Sequence, residues 1–369
     1  MLTGACTGAK GMKQLRIGGK PVGEGSRCFV IAEAGANFRV SENSEENFNH
    51  ALLMIGIAAE AKADAVKFQL YREKKLYAED AGAADYIGKS KSINEIIREM
   101  ELPFEWLPLL KKRCEEKGMA FLCSPFDEES ADELEKIGIA AFKIASYEIS
   151  HLPLIRHIAK KGKPMILSLG TANNKDIAAA IKTIKEAGNS QIALLQCTAK
   201  YPAPLRTVNL KVIPALKKKF GAVVGLSDHS REPLIAPLGA VALGASILEK
   251  HFTTDNSLPG PDHGFAILPH ELKQMVSAVR QLEEAMGSSE KKVLPEEKEL
   301  LDFCRRGVFA AEEIKKGQAF SRKNIAVLRP GKRKSFLGPK FFEKLLGKKA
   351  KRDIEKNGAI LKKDLQGQA

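Results

Sequence analysis

The sequence predicts an α/β protein, a (β/α)8 barrel followed by a small β-rich module. Short apolar, β-leaning runs alternate eight times with longer segments of helical periodicity between residues 28 and 287, which is typical of a parallel sheet with right-handed crossovers. The first strand ends in residues 33–37 (EAGAN) rather than GxGxxG, which disfavours the alternative, a doubly wound dinucleotide-binding sheet. Beyond residue 305 the composition becomes strongly basic.

Each predicted strand is a short apolar run, and each predicted helix follows its strand. The strands are residues 28–34, 65–70, 119–124, 141–145, 164–169, 191–197, 222–227 and 245–252. The helices are residues 44–61, 103–117, 128–137, 152–161, 175–186, 209–219, 233–243 and 270–286. Four helices end on a glycine, the residue that favours the left-handed conformation after a helix: Gly118, Gly138, Gly162 and Gly188. Eight such units match a closed barrel.

Two segments stand apart from this repeat. Residues 71–102 join the second strand to its helix, a length that is unusual for such a loop, and we expect a lid over the barrel mouth rather than a disordered excursion. Residues 288–305 are polar and predict a linker between a catalytic barrel, 1–287, and a module, 306–369. That module has a thin apolar core, so we expect it to lean on the barrel or on a partner subunit.

Composition excludes several classes of protein. With 44% hydrophobic residues the chain can bury a large core, and no run of ~20 apolar residues predicts a transmembrane helix. The start of the chain does not resemble a secretion signal. The six cysteines form no CxxC pair, so we expect reduced thiols, a cytoplasmic location and no structural zinc site.

The positive charge is concentrated in the module. Residues 306–369 hold 18 basic and 6 acidic residues, whereas the whole chain has a net charge of +14. A solvated lysine-rich surface explains this, and attraction to an anionic partner is the alternative. The module has phenylalanines but neither tyrosine nor tryptophan, which argues against stacking on bases; we expect neither nucleic acid nor membrane as a partner.

Two lysines interrupt apolar strands. Lys67 lies within Val66-Lys67-Phe68, and Lys143 lies within the similar run 142–144. A buried charge costs several kcal/mol unless it is paired or bound to a ligand. Each lysine could pair with a neighbouring glutamate for structural reasons alone. Because two of them lie among serines at the strand ends, where barrel enzymes place their reacting groups, we predict a site for a small dianion such as a phosphate ester.

Two histidines lie at adjacent strand ends. His229 follows the seventh strand and His251 ends the eighth, so a closed barrel places them side by side. Two imidazoles with open positions suit Mn²⁺ or Mg²⁺ better than tetrahedral Zn²⁺. Glu33, at the end of the first strand, could complete this site or hold a water. Asp262 lies on a stiff Pro- and Gly-rich loop, 258–264, where it could bind sugar hydroxyls or be a solvated turn residue.

Several motifs, in order along the chain, resemble the sialic acid synthase family, the nonulosonate synthases. They are residues 31–37 (IAEAGAN), 63–69 (ADAVKFQ), 124–127 (SPFD), 142–146 (FKIAS), 225–229 (GLSDH), 248–253 (LEKHFT) and 259–263 (PGPDH). The tail, with residues 314–317 (IKKG) and 328–331 (LRPG), resembles the antifreeze-like (SAF) domain that ends those enzymes.

The resemblance implies condensation of phosphoenolpyruvate with an open-chain N-acetylated hexose, release of phosphate by C–O cleavage, and a divalent cation, Mn²⁺ before Mg²⁺. It implies a homodimer in which the C-terminal domain swaps and Arg329 reaches the partner's active site. His229 and His251 would be metal ligands. The remaining implied residues, beside Glu33, are Lys67, Ser124, Lys143, Ser146, Ser168 and Ser227 for phosphoenolpyruvate, and Gln69, Glu148, Tyr201 and Asp262 for the sugar.

Three positions depart from the family pattern: Phe38 where a histidine is usual, Leu169 where a threonine is common, and Ala199 where a polar residue is frequent. These bear on the identity of the sugar, for which N-acetylmannosamine, its 6-phosphate and a dideoxy diacetamido sugar stay open. Two alternatives to the main hypothesis are another phosphoenolpyruvate-dependent aldol-type sugar acid synthase and a non-catalytic barrel with an anion-binding basic tail.

Overall fold

The structure, a computed structural model, describes residues 14–79, 81–82 and 92–365. These residues form two compact units that divide after Gly287. The first unit is a closed barrel of eight parallel strands in which the last strand pairs with the first. The fold class predicted from sequence is therefore confirmed.

An antiparallel hairpin precedes the barrel, formed by β1 (Gln14–Ile17) and β2 (Lys20–Gly23). The barrel strands are β3 (Phe29–Gly35), β4 (Ala65–Leu70), β5 (Ala120–Pro125), β6 (Phe142–Ile144), β7 (Met165–Ser168), β8 (Ile192–Cys197), β9 (Val223–Asp228) and β10 (Ile247–His251). Around them lie α1 (Ser44–Glu60), α2 (Glu73–Leu76), α3 (Ile93–Glu99), α4 (Leu107–Glu116), α5 (Glu128–Lys136), α6 (Leu152–Lys160), α7 (Asn174–Glu186), α8 (Val212–Phe220), α9 (Ile235–Ala242) and α10 (Pro269–Met286).

The barrel strands are buried along both faces, as expected when helices cover a parallel sheet. Capping side chains fix several helix starts: Asn43 accepts hydrogen bonds from the backbone N–H groups of Glu45 and Glu46, and Asp127 accepts one from that of Ser130. The helix expected from residue 209 begins instead at Val212, because Asn209 has a φ of +52°, outside the helical range.

The β1–β2 hairpin was not predicted. Leu15, Ile17 and Val22 are buried in one apolar cluster with barrel residues such as Phe29 and Ile247. The hairpin therefore packs against the N-terminal end of the barrel, opposite the mouth. A signal was present in the sequence, since the Gly-Gly pair at 18–19 suits a two-residue hairpin turn and the run before it alternates between polar and apolar residues.

The insert at 71–102 carries α2 and α3, while residues 80 and 83–91 lie outside the described residues. Ser92 and Glu95 cap α3 reciprocally. The segment therefore contains ordered helices at the mouth of the barrel.

The second unit contains the antiparallel pair β11 (Gly307–Ala310) and β12 (Ile325–Leu328). Isolated bridges, such as that between Ile314 and Ile354, connect other segments of this unit. Its core includes Val308, Phe320 and Leu345. The segment predicted as a linker carries α11 (Lys298–Cys304), and the Phe303 carbonyl accepts a hydrogen bond from the Gly331 N–H, so α11 belongs to this unit. A short helix, α12 (Phe342–Leu345), follows. Among the described residues, every helix is too short or too polar to span a lipid bilayer.

Candidate active site

A cavity of about 440 Å³ opens at the C-terminal ends of the barrel strands. Every barrel residue that the sequence analysis selected lines it. They are Glu33, Lys67, Gln69, Ser124, Lys143, Ser146, Glu148, Ser168, Tyr201, Ser227, His229, His251 and Asp262. Arg329, the one selected residue of the second unit, is exposed and directly follows β12. The barrel thus brings together residues that are up to about 230 positions apart in sequence, as parallel strand ends require.

Four buried charges form the floor of the cavity. Lys67 Nζ lies 2.6 Å from Glu33 Oε2 and 4.0 Å from Glu249 Oε1, and Lys143 Nζ lies 3.5 Å from the same Glu249 oxygen. All four side chains are nearly inaccessible to solvent. The two lysines and two glutamates balance one another, which makes their burial tolerable.

The pKa values of these groups differ in direction. Burial lowers the pKa of Lys143, and the Glu249 carboxylate offsets this only in part. Burial also acts against the Lys67 ammonium, but Glu249 and Glu33 outweigh it and raise the pKa of Lys67. Burial raises the pKa of Glu33 to about 7 despite Lys67 beside it. Lys143 is therefore the cation with the least compensation, and a bound anion would stabilise it most.

Serine hydroxyls surround this floor. The ammonium of Lys67 donates to Ser124 Oγ over 3.3 Å, and that of Lys143 donates to Ser168 Oγ over 2.6 Å. Because these two hydroxyls accept from the lysines, their own hydrogens stay available to an anion. Ser227 instead donates to Glu249 Oε1 over 3.0 Å. Together the floor offers ammonium and hydroxyl donors, the groups that bind a phosphate or a carboxylate.

The two histidines lie side by side, with ring centroids 5.3 Å apart. His229 Nδ1 donates to the Thr198 carbonyl over 2.9 Å, which leaves Nε2 with its lone pair. His251 Nδ1 is buried without a hydrogen-bond partner and lies 3.6 Å from Asp262 Oδ2. Burial lowers the pKa of His251 well below its usual value, so this imidazole is neutral, as a metal ligand must be.

The donor set fits a metal held by few protein ligands. Among the described residues, no cluster of three or more His, Cys, Asp or Glu side chains has the arrangement of a closed metal site. Two imidazoles would leave most coordination positions to water and substrate, in contrast to a structural zinc site.

The carboxyl groups of Glu33 and Asp262 both lie close to Gly35. This glycine has a φ of +53°, and a Cβ there would lie 3.2 Å from both Asp262 Oδ2 and Glu33 Oε1. Gln69 Nε2 donates to Glu33 Oε1 over 3.2 Å. Any side chain at position 35 would crowd these groups, so the glycine permits their close approach. Burial raises the pKa of Asp262 to about 6 and also raises that of Glu148.

One side of the cavity is apolar. The insert contributes the side chains of Leu76, Tyr77, Ile96, Ile97 and Met100 to its lining. Tyr201 closes the opposite side by packing on His229, with ring centroids 4.3 Å apart. The insert therefore covers part of the mouth, as a lid would.

The structure adds residues to which the sequence analysis gave no role. Glu249 contacts both lysines, and Tyr147 lines the mouth. Strand parity could have assigned Glu249, since it lies two residues before His251 and points to the same side. By the same parity Lys250 points outward, where it pairs with Asp228 over 2.6 Å outside the cavity.

None of the three departures from the family pattern belongs to the described cavity lining. Phe38 is buried and packs on Trp106 at 5.9 Å between ring centroids, and Leu169 is buried as well. Ala199 lies beside Gly170, whose N–H donates to Ser146 Oγ. These positions therefore act on the cavity only through its neighbours.

Comparison with known proteins gives two family matches. The sequence model of the NeuB family matches residues 54–291, and that of the SAF domain matches residues 305–366. The spore coat polysaccharide biosynthesis protein SpsE of Bacillus subtilis is 44% identical, over 96% of this chain and 98% of that protein. Its crystal structure covers 97% of this chain and all of that chain, with a TM-score of 0.65.

Two further relatives have named products. N,N'-diacetyllegionaminic acid synthase of Campylobacter jejuni is 38% identical, over 90% of this chain and 99% of that protein. A crystal structure of N-acetylneuraminic acid (sialic acid) synthetase from Leptospira borgpetersenii, in complex with citrate, is 32% identical. The match covers 80% of this chain and 97% of that one, with a TM-score of 0.69.

Proposed function

Since this chain belongs to the NeuB family, we propose that it joins phosphoenolpyruvate to an acetamido sugar, N-acetylmannosamine or a related one, to form a nonulosonic acid and phosphate. The chain is an enzyme, a synthase of the transferase class, as its relatives are. The observation that carries the proposal is the buried floor of the cavity, where Lys67 and Lys143 lie among serine hydroxyls below two histidines.

Phosphoenolpyruvate matches this floor because it is a small molecule that carries both a phosphate and a carboxylate. Lys143 and Ser168 supply an ammonium and a hydroxyl group that lie 2.6 Å apart. Lys67 and Ser124 form a second pair of the same kind. An anion here would add a second charged partner to Lys143, whose ammonium is only partly compensated by Glu249. Charge-assisted hydrogen bonds in such a desolvated site are stronger than those at a surface.

We assign His229 and His251 as the ligands of a divalent cation, Mn²⁺ in preference to Mg²⁺. The free lone pair on His229 Nε2 and the neutral, buried imidazole of His251 support this assignment. A cation bound there supplies Lewis acidity toward an aldehyde oxygen.

The proposed reaction forms a carbon–carbon bond and a carbon–oxygen bond to water, and it breaks the carbon–oxygen bond to phosphate, while the aldehyde oxygen takes up a proton to become a hydroxyl. C3 of phosphoenolpyruvate attacks the aldehyde carbon of the sugar, water adds at C2, and the C2–O bond to phosphate breaks. Glu33 is suited to orient that water and to take up its proton, because burial raises the pKa of this carboxyl to about 7. Lys67 and Lys143 balance the negative charge of the departing phosphate.

The test measures phosphate release from phosphoenolpyruvate in the presence of Mn²⁺ and a panel of acetamido sugars, with product mass by mass spectrometry. We expect release only with a suitable sugar, a product equal in mass to sugar plus pyruvate, and no release from Lys143→Ala. The matched control is Lys111→Ala on the outside of α4, which should behave as the unmodified protein. Sugar-independent release, or no release with any sugar, would contradict the proposal.

The second candidate, another phosphoenolpyruvate-dependent aldol-type synthase, is separated by the same assay. It would release phosphate with an aldose that lacks an acetamido group. The complete floor and both histidines give no support to the alternative of a non-catalytic barrel.

We also propose that the protein is a homodimer in which the second unit of one chain serves the barrel of the other. The resemblance to domain-swapped synthases supports this, as does the exposed position of Arg329 after β12. An arginine offers forked donors to a polar sugar, which a lysine would not reproduce.

A further inference from the structure

Resting on the proposed function, we infer that Lys250 is a positioning residue for the metal site, because its ammonium fixes the segment that carries His229 to the strand that carries His251. Lys250 directly precedes His251 in β10, but it points away from the cavity and does not line it. The side chain is buried, with 1% of the residue exposed. A buried cation is costly unless it is well paired, so its partners show what it does.

The hydrogen bonds of the Lys250 ammonium go to one short segment, residues 228–232. The ammonium donates to Asp228 Oδ2 over 2.6 Å, to the Glu232 carbonyl over 3.0 Å and to the Ser230 carbonyl. Ser230 Oγ lies 3.3 Å away as a weaker partner. An ammonium has three N–H donors, and these acceptors engage all three. The side chain therefore binds the segment after β9 at several points rather than at one.

His229 lies within this segment, between two of the residues that Lys250 contacts. Asp228 and Ser230 are also bonded to each other, since Asp228 Oδ1 accepts from the Ser230 N–H over 2.8 Å. Ser230 Oγ lies 3.1 Å from Asp228 Oδ2. The backbone on both sides of His229 thus belongs to one buried hydrogen-bonded network that is completed by Lys250.

The barrel itself holds the two histidines differently. His251 lies inside β10, in register with Glu33 of β3, so the strand ladder fixes its backbone. The ladder between β9 and β10 ends where Lys250 pairs with Asp228, and His229 lies just beyond it. Past that point, the side chain of Lys250 provides the connection between β10 and the segment after β9.

Two further hydrogen bonds hold His229 from its other side, where the segment after β8 lies. His229 Nδ1 donates to the Thr198 carbonyl over 2.9 Å, and the His229 carbonyl accepts from the Ala203 N–H over 2.9 Å. These bonds orient the ring relative to β8, but they do not fix its distance from His251 on β10. Two imidazoles bind one cation only when their lone pairs converge, and side chains of such a site must be held to within about 0.5 Å. The link through Lys250 supplies this constraint.

Stability alone is a weak reason for the pair of Lys250 and Asp228. Removing two charges from water is costly, and apolar residues of similar size often serve as well as a buried ion pair. A lysine–aspartate pair with no link to the cavity provides a comparison. Lys161, at the end of α6, pairs with Asp132 of α5, and their side chains are 7% and 46% exposed.

The test measures the Kd of Mn²⁺ by electron paramagnetic resonance titration of the full chain without substrates. The variant combines Lys250→Met with Asp228→Asn, which removes the ammonium without leaving a buried carboxylate unpaired. We expect its Kd for Mn²⁺ to be at least about 10-fold higher, since loss of a group that orients a metal ligand costs about 10- to 100-fold in affinity. The Kd for phosphoenolpyruvate in EDTA should stay unchanged, because the floor is not altered.

The matched control combines Lys161→Met with Asp132→Asn and should leave the Kd for Mn²⁺ unchanged, even where Tm falls. Turnover gives a second measurement: at saturating Mn²⁺ the Lys250→Met/Asp228→Asn protein should recover most of its kcat, because no group that lines the cavity has changed. Circular dichroism shows whether this variant folds. If it does not, Asp228→Asn alone, which is close in shape to the natural side chain, should raise the Kd for Mn²⁺ by a smaller factor.

The outcomes separate the two proposals. An unchanged Kd for Mn²⁺ in the folded variant, or an equal rise in the Lys161→Met/Asp132→Asn control, would overturn this inference and leave the proposed function intact. If the unmodified protein binds no Mn²⁺, the metal assignment within the proposed function fails and the inference fails with it.

Discussion

At the scale of single residues, the two buried lysines supply the positive charge of the site. Lys67 lies 2.6 Å from Glu33 and 4.0 Å from Glu249, whereas the salt bridge that Lys143 makes within the described residues is with Glu249, at 3.5 Å. Removing Lys67 would leave two buried carboxylates with less compensation and would cost stability as well as binding. Removing Lys143 should affect ligand binding more than stability, because burial already disfavours its charged form.

Lys143→Ala should therefore weaken phosphoenolpyruvate binding with little loss of thermal stability. A lost charge-assisted contact in a desolvated site costs about 2–5 kcal/mol, which corresponds to at least a roughly 30-fold increase in Kd. Isothermal titration with phosphoenolpyruvate in the absence of sugar measures it directly, with Lys111→Ala as the control. An effect confined to the KM of the sugar would show that Lys143 does not hold the dianion.

The histidine pair makes a prediction about the metal. His229→Ala and His251→Ala should each abolish Mn²⁺-dependent turnover and weaken Mn²⁺ binding, because two imidazoles leave no spare protein ligand among the described residues. Turnover after dialysis against EDTA and titration of bound Mn²⁺ by electron paramagnetic resonance are the measurements. His50→Ala, on α1 and away from the cavity lining, is the control. Near-normal turnover that also survives EDTA would refute the assignment.

The sequence predicted most of these residues because strand ends in a barrel share one location, whichever strands they come from. It gave Glu249 no role, although strand parity puts this residue on the same side of the strand as His251. Lys250, the next residue, looks equally suitable in the sequence and yet pairs with Asp228 outside the cavity. The apolar side of the cavity was not predicted either, since it depends on how the insert that carries α2 and α3 packs at the mouth.

At the scale of elements, the loop after β10 shows how hydrogen bonds within a loop can hold a side chain of the cavity lining. His263 is buried beside Asp262, and its Nδ1 lies 2.6 Å from Thr253 Oγ1. Its carbonyl accepts from Asn256 Nδ2 over 2.6 Å. These bonds tie both the side chain and the backbone of His263 to residues 253 and 256, just after β10, so that Asp262 is held beside Gly35.

His263→Ala should therefore lower kcat/KM for the sugar and leave the Kd for phosphoenolpyruvate unchanged. Loss of a buried hydrogen-bonded side chain should also cost about 1–3 kcal/mol of stability, seen as a fall in Tm by differential scanning calorimetry. The control is His270→Ala at the exposed start of α10. Unchanged sugar kinetics would mean that the loop holds Asp262 without this histidine.

Elements with a strong hydrophobic periodicity were predicted to within a few residues, whereas short elements were not. The helix of residues 44–61 and the strand 65–70 correspond closely to α1 and β4. The β1–β2 hairpin and α11 escaped prediction because each is too short for its periodicity to stand out, and each is defined by packing against residues distant in sequence.

At the scale of the whole molecule, the dimer is tested by mixing two inactive chains. If each second unit serves the other barrel, an Arg329→Ala chain mixed with a Lys67→Ala chain forms heterodimers with one doubly defective site and one intact site. Activity should then recover to about a quarter of that of the unmodified protein after random reassortment, because half of the dimers are mixed and each has one intact site of two.

Differently tagged chains and tandem purification show whether heterodimers have formed. Mixing Lys67→Ala with Lys143→Ala provides the control, since both changes lie in the barrel and exchange of second units cannot bring their intact copies into one site. Failure to recover activity in purified Arg329→Ala/Lys67→Ala heterodimers would mean that each second unit serves its own barrel.

The hairpin at the base of the barrel has a consequence for synthesis on the ribosome. β1 and β2 leave the exit tunnel before any barrel strand, but the apolar surface that receives Leu15, Ile17 and Val22 is incomplete until β10 has been made. At 5–20 residues per second this interval is roughly 10–45 s. During that time the nascent chain carries unburied apolar side chains near its beginning, where holdase chaperones can bind them.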